Sequence, residues 1–298
     1  MLPSSRPDCP WCGTPLRDGR RLRGRTRCAA CGTATTDPWP SPVELEAAYS
    51  GWYRPGGGRF SGVGDRILRR TRASLSQRID RIAPGGPVLD VGAGDGALLS
   101  ALRGRGREAV GLERWPNEPG MHKSDVANQE QGAWAAVVFW HSLEHLTEPG
   151  RAVEATAALL LPKGVAIVAV PNAASLQARV FGDRWLALDL PRHLVHLTAA
   201  SLLDKLRSSG LRVERVSYLR GGQVVFGWLH GLVGLLPGHP SLYDAIRRPQ
   251  ARSEPMGAAQ RLLALAAAVL LLAPAALASL AEAALGRGGT IYVEARRA

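Results

Sequence analysis

Residues 87–104 read PVLDVGAGDGALLSALRG, and this stretch decides the fold. PVLDV is a short apolar run ending in turn residues, the pattern of a buried strand, and ALLSALR behind the glycines has helical spacing. Gly92, Gly94 and Gly96 let a ligand approach bare backbone just ahead of that helix. A strand, a glycine loop and a helix open many doubly wound α/β sheets, and Gly92-x-Gly94-x-x-Ala97 passes a permissive dinucleotide fingerprint. Two acids favour a different ligand. Asp90 stands two residues before the first glycine and Asp95 lies inside the loop, where they would repel a pyrophosphate and suit an ammonium group or its ordered water.

Outward from the loop, EAVGLE reads as a second strand ending in Glu113, placed to accept hydrogen bonds from two ribose hydroxyls. Asp125 in HKSDVAN is placed to receive an adenine amino group. Either acid alone could equally be a solvated loop carboxylate. VLDVGAGDG, Glu113, AAVVFWHSLEHL, LLPKGVAIVAVPN and DLPRHLVHLTAASLLDKLRSSGLRVERVS together resemble the class I S-adenosylmethionine-dependent methyltransferases, over roughly residues 75–220. The resemblance implies a Rossmann-like α/β fold with a seven-stranded sheet. It also implies S-adenosylmethionine as cofactor, held by Asp90, Gly92, Gly94, Asp95, Gly96, Glu113, Asp125 and Trp140. One departure is Ala135, where the family usually opens its fourth strand with an acid.

Methyl transfer from a sulfonium needs alignment of nucleophile, carbon and sulfur and, for a hydroxyl acceptor, removal of a proton. Histidine suits that proton transfer near neutral pH. The candidates are His141, Glu144 and His145 in HSLEHL and Asp189, Arg192, His193 and His196 in DLPRHLVH; His145, Glu144, His141 and His193 are the expected catalytic set. HSLEHL follows a strand at its C-terminal end, where open α/β sheets bind ligands. Glu144 and His145 resemble the acid–histidine pair of quinone-pathway O-methyltransferases, which implies a divalent metal, although His141 stands where that pattern has a further acid. The alternative for Glu144–His145 is capping of the next helix. For His193 it is a histidine satisfied behind the site. The chain lacks an Asn/Asp-Pro-Pro-aromatic element after the fourth strand, so the resemblance argues for oxygen rather than a base amine as acceptor.

All four cysteines, Cys9-x2-Cys12 and Cys28-x2-Cys31, fall in the first 31 residues. Two such knuckles, each followed by a glycine (Gly13, Gly32), match a four-thiolate structural zinc site. Two disulfides or a redox pair are the alternatives. MLPSSRPDCPWC has no apolar run after a basic start, so a cytoplasmic protein with reduced thiols is expected. The net charge of +12 suits an anionic partner, but 34 Arg against 3 Lys, spread along the chain, also follow from GC-rich codon usage.

The expected organisation is a zinc ribbon (1–40), a linker and helical lead-in (41–82), a methyltransferase core (83–222), an apolar helical insertion (223–286) and the last core strand (287–298). The lead-in holds a helix capped by Ser41 with Pro42 in its first turn, the glycine-rich RPGGGRFSGVG, and an Arg-rich helix from about Asp65 to Ile82. The insertion carries VVFGWLHGLVGLL and LLALAAAVLLLAPAALASLA between two strands, LRVERVSYL and TIYVEAR, that must pair. It therefore leaves and returns on one face, excluding a single crossing. Pro274 is expected to break the longer stretch into two half-length helices. These would lie on a membrane surface with Arg247, Arg248, Arg252 and Arg261 at anionic headgroups, or cover the site, or form a dimer surface, or cross the membrane and return as a two-pass hairpin. The leading expectation is O-methylation of a hydrophobic, quinone-like, lipid-linked or glycan acceptor at the membrane surface. The alternatives are an RNA methyltransferase and a non-catalytic cofactor-binding scaffold.

Overall fold

The structure is a computed structural model and describes residues 5–50, 60, 63–220 and 224–297. RPGGGRFSGVG falls largely outside these residues. A small N-terminal sheet begins with β1 (Arg20–Leu22), β2 (Arg25–Arg27) and β3 (Ala34–Thr36), followed by α1 (Pro42–Tyr49) and α2 (Val63–Ile82). Ser41 caps α1 as expected: its hydroxyl accepts the Glu44 N–H at 3.2 Å and the Glu44 carboxylate accepts the Ser41 N–H at 2.8 Å.

The main sheet takes β4 (Val88–Val91), β5 (Ala109–Leu112), β6 (Met121–His122), β7 (Trp134–Trp140) and β8 (Leu160–Pro171). After β9 (Val195–His196), which lies elsewhere, it adds β10 (Leu211–Ser217) and β11 (Thr290–Arg297). Its order is β10-β11-β8-β7-β4-β5-β6, with β11 antiparallel between β10 and β8 and the pairs from β8 to β6 parallel. This is the expected seven-stranded Rossmann-like sheet, and the last strand returns beside the sixth.

Every residue of β4 is buried, because a parallel sheet is covered on both faces. Alternation along the strands sorts the coverings. Leu89, Val91, Val137 and Phe139 pack with α4 (Pro149–Leu159), α6 (Ala199–Ser208) and Trp11 of the ribbon. Val88, Ala136 and Val138 pack with Leu75 and Ile79 of α2 and the leucines of α3 (Ala97–Arg103).

The ribbon is joined to the core by main-chain pairing. β9 adds to the small sheet as a fourth strand, with Ala34 opposite His196 and Thr35 opposite Val195. Trp11 and Pro10 press on the start of α4, where a Cβ on Gly150 would lie 2.3 Å from the Trp11 carbonyl oxygen; only glycine fits.

Beyond α5 (Leu176–Phe181), the insertion forms α7 (Val224–Val233), α8 (Leu242–Ala245), α9 (Ala258–Leu270) and α10 (Leu272–Ala284). α9 and α10 meet at a 57° bend around Leu271. Pro274, in the first turn of α10, has no N–H to donate to the Leu270 carbonyl, and its ring crowds that group, so the break falls one turn upstream of the proline. Among the described residues no single helix is long and apolar enough to cross a membrane, though this bent pair passes together on length and composition.

The pair is amphipathic in the reverse sense. Its buried positions are Ala264, Ala267, Ala275, Ser279 and Glu282, whereas Leu270 is 79% exposed and Leu277 67%. Glu282 anchors α10: its oxygens accept the Gln177 N–H at 2.9 Å, the Gln177 side-chain amide at 3.0 Å and the Trp228 indole N–H at 2.8 Å. Two of the arginines expected at headgroups are engaged elsewhere. Arg247 is buried with its guanidinium over the Tyr243 ring, and Arg248 donates to the Phe60 carbonyl and pairs with Asp65.

Candidate active site

The glycine loop is shaped by left-handed backbone at Gly92 (φ +75°), Gly94 (φ +67°) and Gly96 (φ +72°). At Gly92 the reason is close approach: a Cβ there would stand 2.4 Å from the Ser142 Cβ, so the loop could not lie against the turn after β7. Glu113, just past β5, accepts the Gly94 N–H at 2.8 Å and the Arg114 N–H at 2.9 Å, tying the second strand end to the loop.

These elements border a cavity of about 870 Å³. Of the sequence-predicted cofactor residues, Gly92, Gly94, Asp95, Glu113, Asp125 and Trp140 line it. Asp90 and Gly96 are not among the described lining residues. Gly96 caps α3 behind the loop. Asp90 is buried within β4, and burial pushes its carboxyl up to about 7, against the pull of Arg72 and with Glu113 and Asp95 adding to the rise. Asp125 lines the cavity while one of its oxygens accepts the Ala127 N–H at 2.8 Å.

His141, Glu144, His145 and His193 line the same cavity. Glu144 lies 3.6 Å from Nδ1 of His141 and 3.9 Å from Nε2 of His193. It is buried, and neither carboxylate oxygen has a hydrogen-bond partner among the described residues. Burial alone would raise its pKa, but His141, His145 and His193 hold it down to about 2. Glu144 does not cap the following helix; Glu148 occupies the N-cap of α4.

His145 Nδ1 lies 2.9 Å from the Arg192 carbonyl, and His193 Nδ1 lies 2.8 Å from the Ala187 carbonyl. A carbonyl only accepts, so both rings carry hydrogen on Nδ1 and a lone pair on Nε2. Burial and the neighbouring His193 lower the His145 pKa to about 4, so its ring is neutral at pH 7. The ligand atoms of Glu144, His145 and His193 lie within 4.8 Å of one another. A buried anion facing imidazole lone pairs is a donor set complete except for a cation.

His196 is elsewhere. Its Nε2 is 3.2 Å from the Thr36 hydroxyl at the ribbon junction, and burial drives its pKa well below the usual histidine range. Asp189 and Arg192 line the cavity as an ion pair, with Asp189 also 3.7 Å from His193.

Several lining residues carried no readable signal. Tyr49 of α1 reaches His145, and its ring lies tilted against Trp115 with centroids 5.4 Å apart. Phe60, Phe226 and Tyr243 form an aromatic wall, with Tyr243 6.3 Å from each of the other two rings. Only Trp115, two residues after Glu113, was adjacent to a motif.

In the ribbon, Cys9 and Cys31 sulfurs are 3.7 Å apart, as are those of Cys12 and Cys28. That is far beyond a disulfide and close to the ~3.8 Å edge of a tetrahedron with ~2.3 Å metal–sulfur bonds. The four thiolates fit a tetrahedral ion.

Residues 66–216, just over half of the chain, match the methyltransferase domain family. The chain belongs to that family. It is an S-adenosylmethionine-dependent methyltransferase. Curated relatives include a ubiquinone biosynthesis O-methyltransferase of Xanthomonas axonopodis pv. citri, 29% identical over 161 residues, covering 46% of this chain and 67% of that protein. Its counterpart in Xanthomonas euvesicatoria pv. vesicatoria is 28% identical over 156 residues, covering 45% of this chain and 65% of that protein. A solved S-adenosylmethionine-dependent methyltransferase from Mesorhizobium loti aligns with a TM-score of 0.47 and 15% identity, over 78% of this chain and all of that one. The ribbon and the insertion lie outside the family match.

Proposed function

We propose that this methyltransferase methylates an oxygen of a hydrophobic acceptor, quinone-like or lipid-linked, presented at a membrane surface. One observation carries the reading: a single cavity joins the glycine loop and its acids to the Glu144–His145–His193 group beneath an aromatic wall. The names of the curated relatives agree with oxygen and a quinone-like acceptor.

Gly92, Gly94, Asp95, Glu113, Asp125 and Trp140 would hold S-adenosylmethionine, with Asp90 behind them as a buried counter-charge. The cofactor supplies a methyl group activated by its sulfonium. Glu144, His145 and His193 would hold a divalent ion, which supplies acidity to a hydroxyl beside it. His141, whose Nδ1 faces the Glu144 carboxylate, would take the hydroxyl proton on its other ring nitrogen. Phe226 and Tyr243 exclude water and stack on an apolar acceptor. Cys9, Cys12, Cys28 and Cys31 would hold a structural zinc ion, with no position left for a reactant.

The membrane part rests on the reversed amphipathicity of α9 and α10. Their exposed leucines have no charged residue among them from 262 to 281, and exposed Arg261 and Arg287 bracket the pair. An anionic bilayer matches that arrangement. In flotation with phosphatidylglycerol vesicles the protein is expected to rise, and Leu270→Gln with Leu277→Gln to stay in the soluble fraction. Recovery of the unaltered protein as a soluble dimer would end the membrane reading.

The acceptor is tested by transfer of labelled methyl from S-adenosylmethionine into whole-cell extract. Label is expected in the lipid fraction. Label in RNA would replace this reading with the nucleic-acid alternative, and no label in any fraction would favour a cofactor-binding scaffold.

A further inference from the structure

The family match begins at residue 66, yet residues before it hold the main chain of His193 and the ring of His145. Thr36, the last residue of β3, donates its hydroxyl to the His193 carbonyl at 2.6 Å and its N–H to the Leu194 carbonyl at 3.0 Å. Leu194 in turn donates its N–H to the Glu144 carbonyl at 2.8 Å. The ribbon strand, the segment carrying His193 and the turn carrying Glu144 and His145 are thus linked by consecutive main-chain hydrogen bonds.

A second grip comes from α1. The Tyr49 hydroxyl lies 2.9 Å from His145 Nδ1, the nitrogen that also faces the Arg192 carbonyl. The carbonyl of the preceding residue, Ala48, accepts from the Arg192 guanidinium at 3.2 Å. The carbonyl, which can only accept, puts the hydrogen on Nδ1; the Tyr49 oxygen then accepts a share of it and fixes the ring's orientation, leaving the lone pair on Nε2.

A ribbon that merely packed would bury apolar surface against the core, and Trp11 does this. The contacts of Thr36 and Tyr49 are of another kind. They are directed hydrogen bonds to the main chain of one cluster histidine and the ring of the other.

We propose that the N-terminal module is part of the active site, with Thr36 and Tyr49 as positioning residues that aim His193 and fix the ring of His145. The proposal rests on the cluster assigned above, but its primary readout does not depend on the acceptor or on a bound metal. The experiment uses the full ¹⁵N-labelled chain, with long-range ¹H–¹⁵N correlation of the imidazole nitrogens at fixed pH. Thr36→Val, Thr36→Ser and Tyr49→Phe are compared with the unaltered protein, and S-adenosylhomocysteine affinity by calorimetry reports an intact cofactor site.

Tyr49→Phe is expected to shift the His145 nitrogens and Thr36→Val those of His193, with Thr36→Ser restoring the latter and cofactor-product affinity unchanged in all three. Titration with Mn²⁺ is expected to show affinity lower by about tenfold in Thr36→Val and Tyr49→Phe. Imidazole signals that stay in place in both variants, with product bound as in the unaltered protein, would overturn the proposal. Failure of the unaltered protein to bind Mn²⁺ would remove the metal from the proposed function, and the imidazole signals would still decide the positioning role.

Discussion

The four cysteines and the Glu144–His145–His193 group each gather their ligand atoms within 4.8 Å, yet they are built on opposite plans. The cysteines sit on two local turns, closed by Gly13 N–H to Cys9 carbonyl at 2.8 Å and Gly32 N–H to Cys28 carbonyl at 3.1 Å. Four like donors would saturate a tetrahedral ion. The second group draws on two segments distant in sequence, mixes a carboxylate with imidazoles and faces a cavity. An arrangement of the first kind suits an ion that holds a fold together; one of the second kind leaves room for a reactant.

The comparison can be broken at either end. The largest effect is expected from Cys28→Ser, which should abolish stoichiometric zinc in metal analysis and lower the calorimetric unfolding midpoint by roughly 10 °C or more. Stoichiometric zinc retained in that variant would show that the cysteines do not act as a closed set. Glu144→Gln removes the charge but keeps the shape. It should leave zinc content and cofactor binding intact while slowing labelled-methyl transfer by about 100-fold or more, and turnover close to the unaltered rate would move the chemistry out of the cluster.

Acid sharpens the contrast. The folded pKa of His145 lies below that of an unfolded histidine, so its neutral burial adds stability above pH 6.5, and that stability is lost as pH falls from there through about 4. Urea midpoints of chelator-treated protein should fall across this window, by an amount equivalent to about 3 kcal/mol or less. His145→Gln should flatten the dependence. Asp90 has the opposite sign. Its raised folded pKa adds stability below about pH 4 that is lost as pH rises through about 7. The smallest effect follows: a cationic cofactor favours the ionised form, so calorimetry near pH 6.5 in buffers of different ionisation enthalpy should detect fractional proton release on binding. Asp90→Asn should remove it.

What was legible in the sequence was local. The cysteine spacing, the strand and glycine loop at 87–104, the Ser41 cap and the break near Pro274 each depend on residues within one or two turns. The seven-stranded sheet was expected from the family resemblance of several such segments taken together, and the structure has that sheet. The site was legible where motifs end strands, as at Glu113 and Glu144. It was not where distant segments meet. His193 and His196 look equivalent in DLPRHLVH, and only the pairing of β9 with the ribbon turns one toward the cavity and the other toward Thr36. Tyr49, Phe226 and Tyr243 carry no pattern that announces a site, because their place depends on how α1 and the insertion fold back.

Ser217 at the end of β10 stands in register with Tyr292 near the start of β11, so the insertion departs from and rejoins the sheet at neighbouring strand ends. For a flexible segment with fixed ends, doubling its length costs only about 0.6 kcal/mol in closure entropy. Closure entropy therefore sets little limit on the length of chain carried between these two strand ends. Phe226 and Tyr243 belong to this inserted segment, whereas the glycine loop and Glu144 follow strands of the sheet itself. A change within the insertion would therefore reshape one wall of the cavity while leaving in place the sheet that carries the glycine loop and the Glu144 turn.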